Sequence, residues 1–260
     1  MKLITVGDNC MDVYQQIGKA FPGGNPVNVA VYLRRLGHDV NYIGVVGNDN
    51  YGNIMLNALK EKGIGVSHVH QIPGETARSM VDIVEGDRVF GDYFEGVMKD
   101  FSLSEDDLSF IAQHDLLHTA YWGETDPYLK QIKEGGTQIC YDFADKPEDP
   151  KVKALIPFVD YALFSFQQDD TATRSFMKRT QALGPKQVIV TLGKQGSLVF
   201  DGKEFTACGV EQVDVVDTMG AGDSFIAGYL AGIAEGKPIL ECMKMGTKNA
   251  AVTLGYSGAW

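Results

Sequence analysis

The sequence is organised around the stretch Val213–Phe225, which reads V-D-V-V-D-T-M-G-A-G-D-S-F. Its β-branched valines predict the end of a strand, Gly220-Ala221-Gly222 predicts a turn of small residues, and the apolar run that follows predicts a helix. Asp223 therefore lies just after a glycine turn, at the start of a helix. Because helix N-termini carry unpaired N–H groups and partial positive charge, this turn could approach an anion such as a phosphate.

Two roles fit Asp223. As a base, its carboxylate would stand beside a developing phosphate charge and take a proton from an incoming hydroxyl. As an N-cap, it would only accept a hydrogen bond from the first turn of the helix, which Asp does well. The whole string G-A-G-D, preceded by Asp217-Thr218 and followed by an apolar helix, favours the base.

Length, charge and cysteine content narrow the class of protein. The chain has 260 residues, 44% of them hydrophobic, enough for a substantial core in one or two domains. Its net charge of -11 argues against binding to nucleic acid or to an anionic membrane. Neither a long apolar run nor a signal peptide is evident, so we expect no membrane span. The four cysteines form no CxxC pair, which predicts reduced thiols in a cytoplasmic protein.

Apolar runs and helical segments alternate along most of the chain. Strand-like runs such as Leu3–Val6 and Val40–Val46 alternate with helical segments such as Val27–Leu36 and Tyr51–Lys62. This alternation predicts an α/β fold with a mostly parallel sheet. No linker divides the chain, so we expect one domain over residues 1–260.

One region departs from this alternation. The segments Thr76–Val84 and Arg88–Tyr93 flank Glu85-Gly86-Asp87, a pattern that predicts a β-hairpin without a crossover helix. The hairpin could extend the main sheet or belong to a separate small sheet. A small sheet over a ligand site would act as a lid that excludes water from a transfer reaction.

A polar turn follows the first predicted strand. Asp8 and Asn9 come soon after Leu3–Val6, and Asp12 lies three residues further on. Because ligands gather at the carboxyl ends of strands in open α/β sheets, these side chains are candidates for holding a polar ligand. Simple turn formation is the alternative, since Asp and Asn favour turns for local reasons.

Two glycine-containing loops are further candidates. Gly23 and Gly24 precede a predicted helix whose first turn contains Asn28, and together they could approach sugar hydroxyls. Gly193-Lys194-Gln195-Gly196 lies between two predicted strands and could offer N–H groups to phosphates, although Gly-x-x-Gly also occurs in ordinary hairpins. The sequence lacks a P-loop string, and no G-x-G-x-x-G follows the first strand, which excludes two common nucleotide-binding classes.

Three strings taken together resemble the ribokinase-like (PfkB) carbohydrate kinases. They are Gly23-Gly24 with Asn28, Thr191-Leu192-Gly193 with Gly196, and Asp217-Thr218 with Gly220-Ala221-Gly222-Asp223. The resemblance covers the full chain, and the D-T-x-G-A-G-D string is its most specific part. It implies a ribokinase-like three-layer α/β/α sandwich with a mostly parallel central sheet, and a small β-strand lid over about residues 11–20 and 76–93. It also implies an enzyme that transfers the γ-phosphate of ATP to a sugar hydroxyl.

Further strings narrow the resemblance within the family. They are G-D-N-C-M-D-V-Y, F-P-G-G-N-P-V-N-V-A-V-Y, D-R-V-F-G-D-Y-F-E-G-V-M and the terminal G-A-W. They are similar to strings of family members that phosphorylate the primary C6 hydroxyl of fructoselysine or a related glycated amine. A fructokinase, a ribokinase and a nucleoside kinase of the same family are the alternatives, and a sugar-sensing protein without catalysis is an alternative outside enzymes.

The resemblance implies a role for each matching position. Asp223 matches the catalytic base, and the anion hole for the γ-phosphate matches Gly220, Ala221 and Gly222. The positions that hold the sugar hydroxyls match Asp12, Gly23, Gly24 and Asn28, and Asp8 and Asn9 stay candidates from their place after the first strand. The nucleotide would contact the second glycine loop and the C-terminal helix, through Thr191, Gly193, Gly196, Thr247, Asn249 and Ala250.

The resemblance also implies metal cofactors. Mg²⁺ is expected because ATP phosphates need charge neutralisation for transfer. The family often has Asn-x-x-Glu to organise this ion, whereas this chain has the uncharged Ser165-Phe166-Gln167-Gln168. Other carboxylates are then alternative ligands, namely Asp142, Asp145, Asp169 and Asp170. The region of Asp217 matches a monovalent-cation site, which would bind K⁺.

The predicted lid contains charged side chains that could bind the amino-acid part of a glycated lysine. The lid could also pair with the lid of a second subunit. Asp92 and Glu95 are our hypothesis for the ammonium groups, and Arg78 or Arg88 could meet the carboxylate. Ordinary surface charge is the alternative for all four side chains. Unpaired edges of a lid sheet would also allow a homodimer.

Overall fold

Strands and helices alternate along the chain, as the hydrophobic pattern predicts. The structure is a computed structural model that describes residues 1–84 and 87–260, without the side chains of residues 83, 84 and 87–90. The strands are β1 (Leu3–Val6), β2 (Cys10–Tyr14), β3 (Lys19–Gly23), β4 (Val40–Gly47), β5 (Gly65–Ile72), β6 (Arg78–Val84), β7 (Asp87–Phe94), β8 (Leu116–Ala120), β9 (Gln138–Asp142), β10 (Tyr161–Ser165), β11 (Gln187–Thr191), β12 (Ser197–Phe200) and β13 (Phe205–Cys208). The α-helices are α1 (Asn25–Arg35), α2 (Asn50–Glu61), α3 (Glu105–Ile111), α4 (Leu129–Glu134), α5 (Pro150–Leu155), α6 (Thr171–Gln181), α7 (Ala221–Ala234) and α8 (Ile239–Leu254).

The main sheet has the strand order β13-β12-β11-β10-β9-β8-β1-β4-β5. Strands β11 to β5 in this order pair in parallel, and only β12 runs antiparallel to its two neighbours. The carboxyl ends of β1, β8 and β9 therefore meet at one edge of the sheet. That edge is where an α/β sheet binds its ligands.

Helices cover both faces of the main sheet. On one face, Ile4 and Val6 join an apolar cluster with residues from α3, α4, α5 and α6. On the other face, Leu3 joins a second cluster with residues from α1, α2, α7 and α8. Because a strand sends successive side chains to opposite faces, the wholly buried β1 contributes to both clusters. The result is the predicted three-layer α/β/α sandwich.

A second, smaller sheet has the order β3-β2-β6-β7. The hairpin β6–β7 is antiparallel as predicted, and β2 pairs in parallel with β6. Asp12, Ser79 and Tyr93 are directly paired across three strands, so their side chains share one face of this small sheet. The predicted lid segments thus form a sheet separate from the main one, and their action as a lid stays a prediction.

The predicted strand at residues 213–216 is absent from the structure. These residues form an extended loop in which Val215 is 57% exposed and Val216 is 64% exposed. Val216 N–H donates to Leu254 O at the end of α8, and no neighbouring strand lies alongside. The prediction was wrong because β-branched residues form a strand only where a pleated, half-buried surface receives them.

Among the residues that the structure describes, no helix has both the length and the apolar character needed to span a bilayer.

Candidate active site

The G-A-G-D turn forms the N-terminus of α7. Gly220 is the N-cap residue and has a φ of 71°, which favours glycine. A Cβ atom at Gly220 would also overlap with the hydroxyl of Tyr32 and press against Ala259. Both the backbone conformation and the close packing therefore explain why glycine occupies this position.

Asp223 is the third residue of α7 and not its N-cap. The N–H of Ala221 donates to Thr218 O, whereas those of Gly222 and Asp223 have no acceptor within the described part of the chain. Unpaired N–H groups at a helix N-terminus favour an anion in front of them. The cap alternative for Asp223 is wrong, and the turn is free to hold a phosphate.

Two amide side chains hold the carboxylate of Asp223. Asn25 Nδ2 donates to Oδ1 at 2.8 Å, and Asn28 Nδ2 donates to Oδ2 at 2.7 Å. Burial, together with the charges of Asp142 and Asp8, raises the pKa of Asp223 to about 7, although the hydrogen bonds from Asn28 and Asn25 lower it. A carboxyl with a pKa near 7 can accept and return a proton at neutral pH, as a general base requires.

Two further carboxyls lie at the same edge of the sheet. Burial raises the pKa of Asp8, after β1, and of Asp142, at the end of β9, each to about 6. Asp142 accepts hydrogen bonds from Asn25 Nδ2 and from Ala144 N. Asp8 Oδ1 is buried and has no partner within the described part of the chain. A sugar hydroxyl is the kind of donor that would satisfy this oxygen.

The glycine loop before α1 packs against the polar turn, as its predicted role requires. Gly24 has a φ of 107°, and its Cα hydrogen faces Asn9 Cα and Asp8 O so closely that a Cβ would clash. A Cβ at Gly23 would collide with the carboxylate of Asp12. The glycine loop therefore lies against Asp8 and Asp12, and Asn28 and Asp8 lie near Asp223, while the contact of these residues with a sugar stays a prediction.

Asn9 differs from these neighbours. Its side chain is fully buried, and Nδ2 donates to Tyr42 Oη and to Val45 O, each at 2.8 Å. These bonds tie the polar turn to β4. Its Oδ1 atom is buried and has no partner within the described part of the chain, and its contact with a ligand stays a prediction.

The predicted lid contacts separate into three groups. Arg78 already forms an ion pair with Glu75 at 3.0 Å and stacks over Phe94. Asp92 neighbours Tyr93 in β7, so its side chain points to the face opposite Asp12. Arg88 lies in β7, but its side chain is outside the described part of the structure.

Glu95 lies in an acidic and aromatic region that the sequence did not reveal. Burial and the nearby Cys10, Asp8, Glu95 and Glu124 raise the pKa of Tyr93. Glu124 follows β8 in the same loop as Trp122, whose side chain is 56% exposed. An aromatic surface with carboxylates beside it favours a cation.

A cavity of about 540 Å³ lies between the loop that precedes α7 and the helix α8. Its lining consists of Gln212, Val213, Asp214, Ala251, Val252 and Gly255. The predicted adenine segment of α8 is thus close to the cavity. Ala250 is half-buried beside it, and Thr247 Oγ1 donates weakly to Gly209 O at 3.5 Å.

Asn249 does not face this cavity. Its side chain is buried between the two last helices, where Nδ2 donates to Ser224 O at 2.8 Å. The predicted contact of Asn249 with the nucleotide is therefore replaced by a bond that fixes α8 to the first turn of α7.

The second glycine loop forms a tight connection between β11 and β12. Gly193 has a φ of 54° and open space around it, whereas a Cβ at Gly196 would collide with Cys208 O. Thr191 Oγ1 lies 3.2 Å from Ser165 Oγ at the neighbouring strand end. Gly196 shapes the turn, and the contact of this loop with a nucleotide stays a prediction.

No cluster of three or more metal-ligating side chains exists among the described residues. Asp145 pairs with Lys146 and Asp169 with Arg174, while Asp170 caps α6. Asp217 accepts N–H bonds from Met219 and Gly258 on its two oxygens, so it fastens the G-A-G-D turn to residue 258. Its predicted role at a monovalent-cation site stays a prediction.

Three side chains around Asp223 escaped the sequence analysis. They are Asn25 in the first turn of α1, His118 in β8 and Trp260. A signal existed for His118, which is the one ionisable residue in the strand run L-L-H-T-A. Asn25 directly follows Gly23-Gly24, so it could have been considered together with Asn28.

Comparison with known proteins agrees with this geometry. Residues 4–260 match the family model described as pfkB family carbohydrate kinase. The chain belongs to this family. A fructoselysine 6-kinase from Shigella flexneri is 47% identical over 258 residues, which cover 99% of both chains.

Solved structures of the same fold are more distant in sequence. The Arabidopsis thaliana ribokinase complexed with ribose and ATP superposes with a TM-score of 0.91 at 22% identity, covering 99% of this chain and 93% of that one. A putative ribokinase II from E. coli, in complex with ATP and Mg²⁺, has a TM-score of 0.86 at 20% identity, covering 99% and 94%. These likenesses establish the ribokinase-like fold.

Proposed function

We propose that this carbohydrate kinase transfers the γ-phosphate of ATP to the primary C6 hydroxyl of fructoselysine or a related glycated amine. The observation that carries the proposal is the position of Asp223. Its carboxylate lies beside the unpaired N–H groups of the turn on one side and beside Asp8, Asn25 and Asn28 on the other. The 47% identity to a fructoselysine 6-kinase supports the choice of acceptor.

The reaction we propose is an in-line phosphoryl transfer. The acceptor hydroxyl donates its proton to Asp223 while its oxygen attacks the γ-phosphorus of ATP, and ADP leaves on the opposite side. The N–H groups of Gly222 and Asp223 stabilise the negative charge on the transferred group. The small sheet closes over the acceptor and excludes water from the reaction. We propose that the small sheet and the main sheet belong to one kinase domain.

ATP and Mg²⁺ are the proposed cofactors. The cavity beside α8 is suited to the base of ATP because its lining combines apolar and polar residues. Ser165 and Thr191 offer uncharged oxygens at adjacent strand ends, which fits a Mg²⁺ ion bound mainly by ATP phosphates and water. When bound, the ion neutralises phosphate charge. We also propose K⁺ near Asp217, supported by the family resemblance of that region.

The amine part of the acceptor would bind at the mouth of the site. We propose Glu95, which we predicted from the sequence, together with Glu124, Tyr93 and Trp122 as its surroundings. Asp92 serves as a matched control because this exposed carboxylate lies in β7, on the face opposite Tyr93, and only three residues before Glu95. Replacing Glu95 and Glu124 by Gln should raise KM for fructoselysine more than KM for fructose, while Asp92→Asn should change neither.

The decisive experiment measures ATP consumption with fructoselysine, fructose, ribose and adenosine under identical conditions. The proposal predicts the highest kcat/KM for fructoselysine. Preference for fructose or ribose would indicate a simple sugar kinase, and preference for adenosine a nucleoside kinase. Binding of a sugar without any ATP consumption would support the sugar-sensing alternative and reject the proposed reaction.

We further propose a cytoplasmic location and a homodimer. The four free cysteines fit a reducing compartment, and ATP is available there. The small sheet has two edge strands, β3 and β7, and it exposes Phe21, Tyr93 and Phe94. A second copy could cover these side chains by pairing its own small sheet. Sedimentation analysis tests this, since a monomer at micromolar concentration contradicts it.

A further inference from the structure

Two asparagine amides determine how the carboxylate of Asp223 is oriented. Asn25 Nδ2 donates to one carboxylate oxygen and Asn28 Nδ2 to the other. Asn25 and Asn28 stand one turn apart on α1, so their amides approach Asp223 from the same helix. This pair of hydrogen bonds fixes the orientation of the Asp223 carboxylate only if the NH₂ group of each amide, and not its oxygen, faces Asp223.

Each amide carbonyl has its own N–H donor on the far side. The Oδ1 atom of Asn25 lies 2.7 Å from His118 Nε2. The Oδ1 atom of Asn28 accepts a hydrogen bond from Trp260 Nε1 at 2.8 Å. An indole nitrogen is only ever a donor, so Trp260 fixes the orientation of Asn28 without ambiguity.

The chemistry around Asn25 also fixes the tautomer of His118. The NH₂ group of Asn25 lies between two carboxylates, Asp223 at 2.8 Å and Asp142 at 3.0 Å. Reversing the amide would place its oxygen against both carboxylates. The oxygen therefore faces His118, and Nε2 must carry the hydrogen. The other ring nitrogen, Nδ1, is then an acceptor, and Cys140 Sγ lies 3.4 Å from it as a donor.

We propose that His118 and Trp260 are positioning residues for the phosphoryl transfer, which hold the two amides so that both NH₂ groups face Asp223. This inference rests on the proposed role of Asp223 as the base. Neither residue contacts the reacting atoms. Each acts through one asparagine, His118 through Asn25 and Trp260 through Asn28.

Loss of either donor would change the basicity of Asp223. The titratable groups that face Asp223 are Asp142 at the end of β9, Asp8 after β1 and Tyr32 in α1. The two asparagines oppose these carboxylates, since hydrogen bonds to the charged form of a carboxyl favour that form. If an amide turns away, the pKa of Asp223 rises and a larger fraction is protonated at neutral pH.

The first test compares His118→Met with His118→Gln. Methionine removes the donor, whereas glutamine can present an N–H near the position of Nε2. We expect His118→Met to move the acidic limb of the kcat profile upward by about 0.5–1 pH unit and to lower kcat at pH 7 by roughly two- to fivefold. KM for ATP should stay within about twofold, and His118→Gln should restore most of kcat.

The second test uses Trp260→Phe, which removes the indole N–H but keeps an aromatic ring near Lys62. We expect this variant also to move the acidic limb of the kcat profile to higher pH. Cys140→Ala is the matched control, because this buried side chain contacts His118 but neither asparagine. It should leave the limb within about 0.2 pH unit, as no hydrogen bond to a carboxylate changes.

The outcomes separate this inference from the proposed function. Full turnover in Asp223→Asn would reject Asp223 as the base, and the inference with it. If Asp223→Asn is inactive while His118→Met and Trp260→Phe keep the wild-type profile, only the inference is rejected. Equal impairment in His118→Met and His118→Gln, with an unshifted limb, would show a merely structural role. If His118→Met does not fold, Trp260→Phe decides the question alone.

Discussion

The two sides of Asp223 are constructed in different ways. On the acceptor side, buried side chains form a connected set of hydrogen bonds that includes Asn25, Asn28 and His118. The other side, where ATP would bind, consists of the backbone N–H groups of the turn and of an open cavity lined in part by exposed valines. We call it the donor side. In the proposed reaction, recognition of phosphate would depend on main-chain geometry, whereas placement of the base would depend on particular side chains.

This contrast has a consequence for substitutions. Main-chain N–H groups are present whatever the side chain, so the donor side responds to changes in backbone conformation or cavity volume. The acceptor side responds to the loss of a single polar atom, because each buried group there has a specific partner. The following substitutions test that distinction, beginning with the largest expected effect.

Asp223→Asn should lower kcat by about 10²–10⁴, the usual contribution of a general base. Binding of ATP should change little, because the N–H groups of the turn remain in place. Steady-state kinetics and calorimetric titration of ATP measure the two effects separately. Near-normal turnover would mean that the acceptor side does not contain the base.

Gly220→Ala should lower kcat by roughly 10–100-fold, because the φ of 71° and the overlap with Tyr32 would displace the turn that aligns the phosphate. Gly236→Ala is the matched control, since Gly236 has the same φ of 71° but open space around it. Both variants should lose about 1 kcal/mol of stability from the left-handed conformation. Only Gly220→Ala should lose activity, and equal activities would contradict the proposed phosphate site.

Val252→Trp should raise KM for ATP by about tenfold, equivalent to roughly 1.4 kcal/mol, with little change in KM for the acceptor. Val252 lines the cavity and is 55% exposed, so the larger side chain fills the cavity without disturbing the core. Leu183→Trp, at a similarly exposed position outside this lining, is the control. An unchanged KM for ATP would place the nucleotide elsewhere.

Asp8→Asn should stabilise the protein by about 1 kcal/mol at pH 8, or roughly 2–4 °C in Tm, and by nothing near pH 4. Burial raises the pKa of Asp8 in the folded protein to about 6 from its ordinary value of 3.8. Between these values only the folded state retains the proton, so the stability of the wild-type protein falls as the pH rises from 4 to 6. Asparagine does not titrate and avoids this loss.

Thermal unfolding of both proteins at pH 4 and pH 8 measures the effect. The same variant should raise KM for the acceptor, since Asp8 Oδ1 lacks a protein partner. If Tm of the variant differs from that of the wild-type protein by the same amount at both pH values, the charge of Asp8 does not destabilise the folded protein.

Much of the fold was predictable from the sequence. Largely apolar runs such as Leu3–Val6 specify buried parallel strands, and the hairpin β6–β7 follows from alternation around a turn. The valines at residues 213–216 show the limit of this approach. They have strand propensity, but the structure provides no partner strand, and they remain in an exposed loop.

The site was predictable in part. The string around Asp223 predicted the turn at the start of a helix, which the structure has, and pointed to the proposed base, because glycine, aspartate and helix signals lie next to one another in sequence. The environment of that base was not predictable. His118 and Trp260 are 105 and 37 positions away along the chain, and nothing in their local sequence shows which asparagine each one contacts.

The sequence by itself therefore determined the alternation of strands and helices, the glycine turn and the identity of Asp223. Only the tertiary structure decided that Asp223 is held by two amides, that Asn9 and Asn249 are turned inward, and that Asp92 lies on the far face of its strand. The physical reason is that periodicity and turn chemistry act between near neighbours. Hydrogen-bond partners and burial arise from packing between distant segments, which local patterns do not encode.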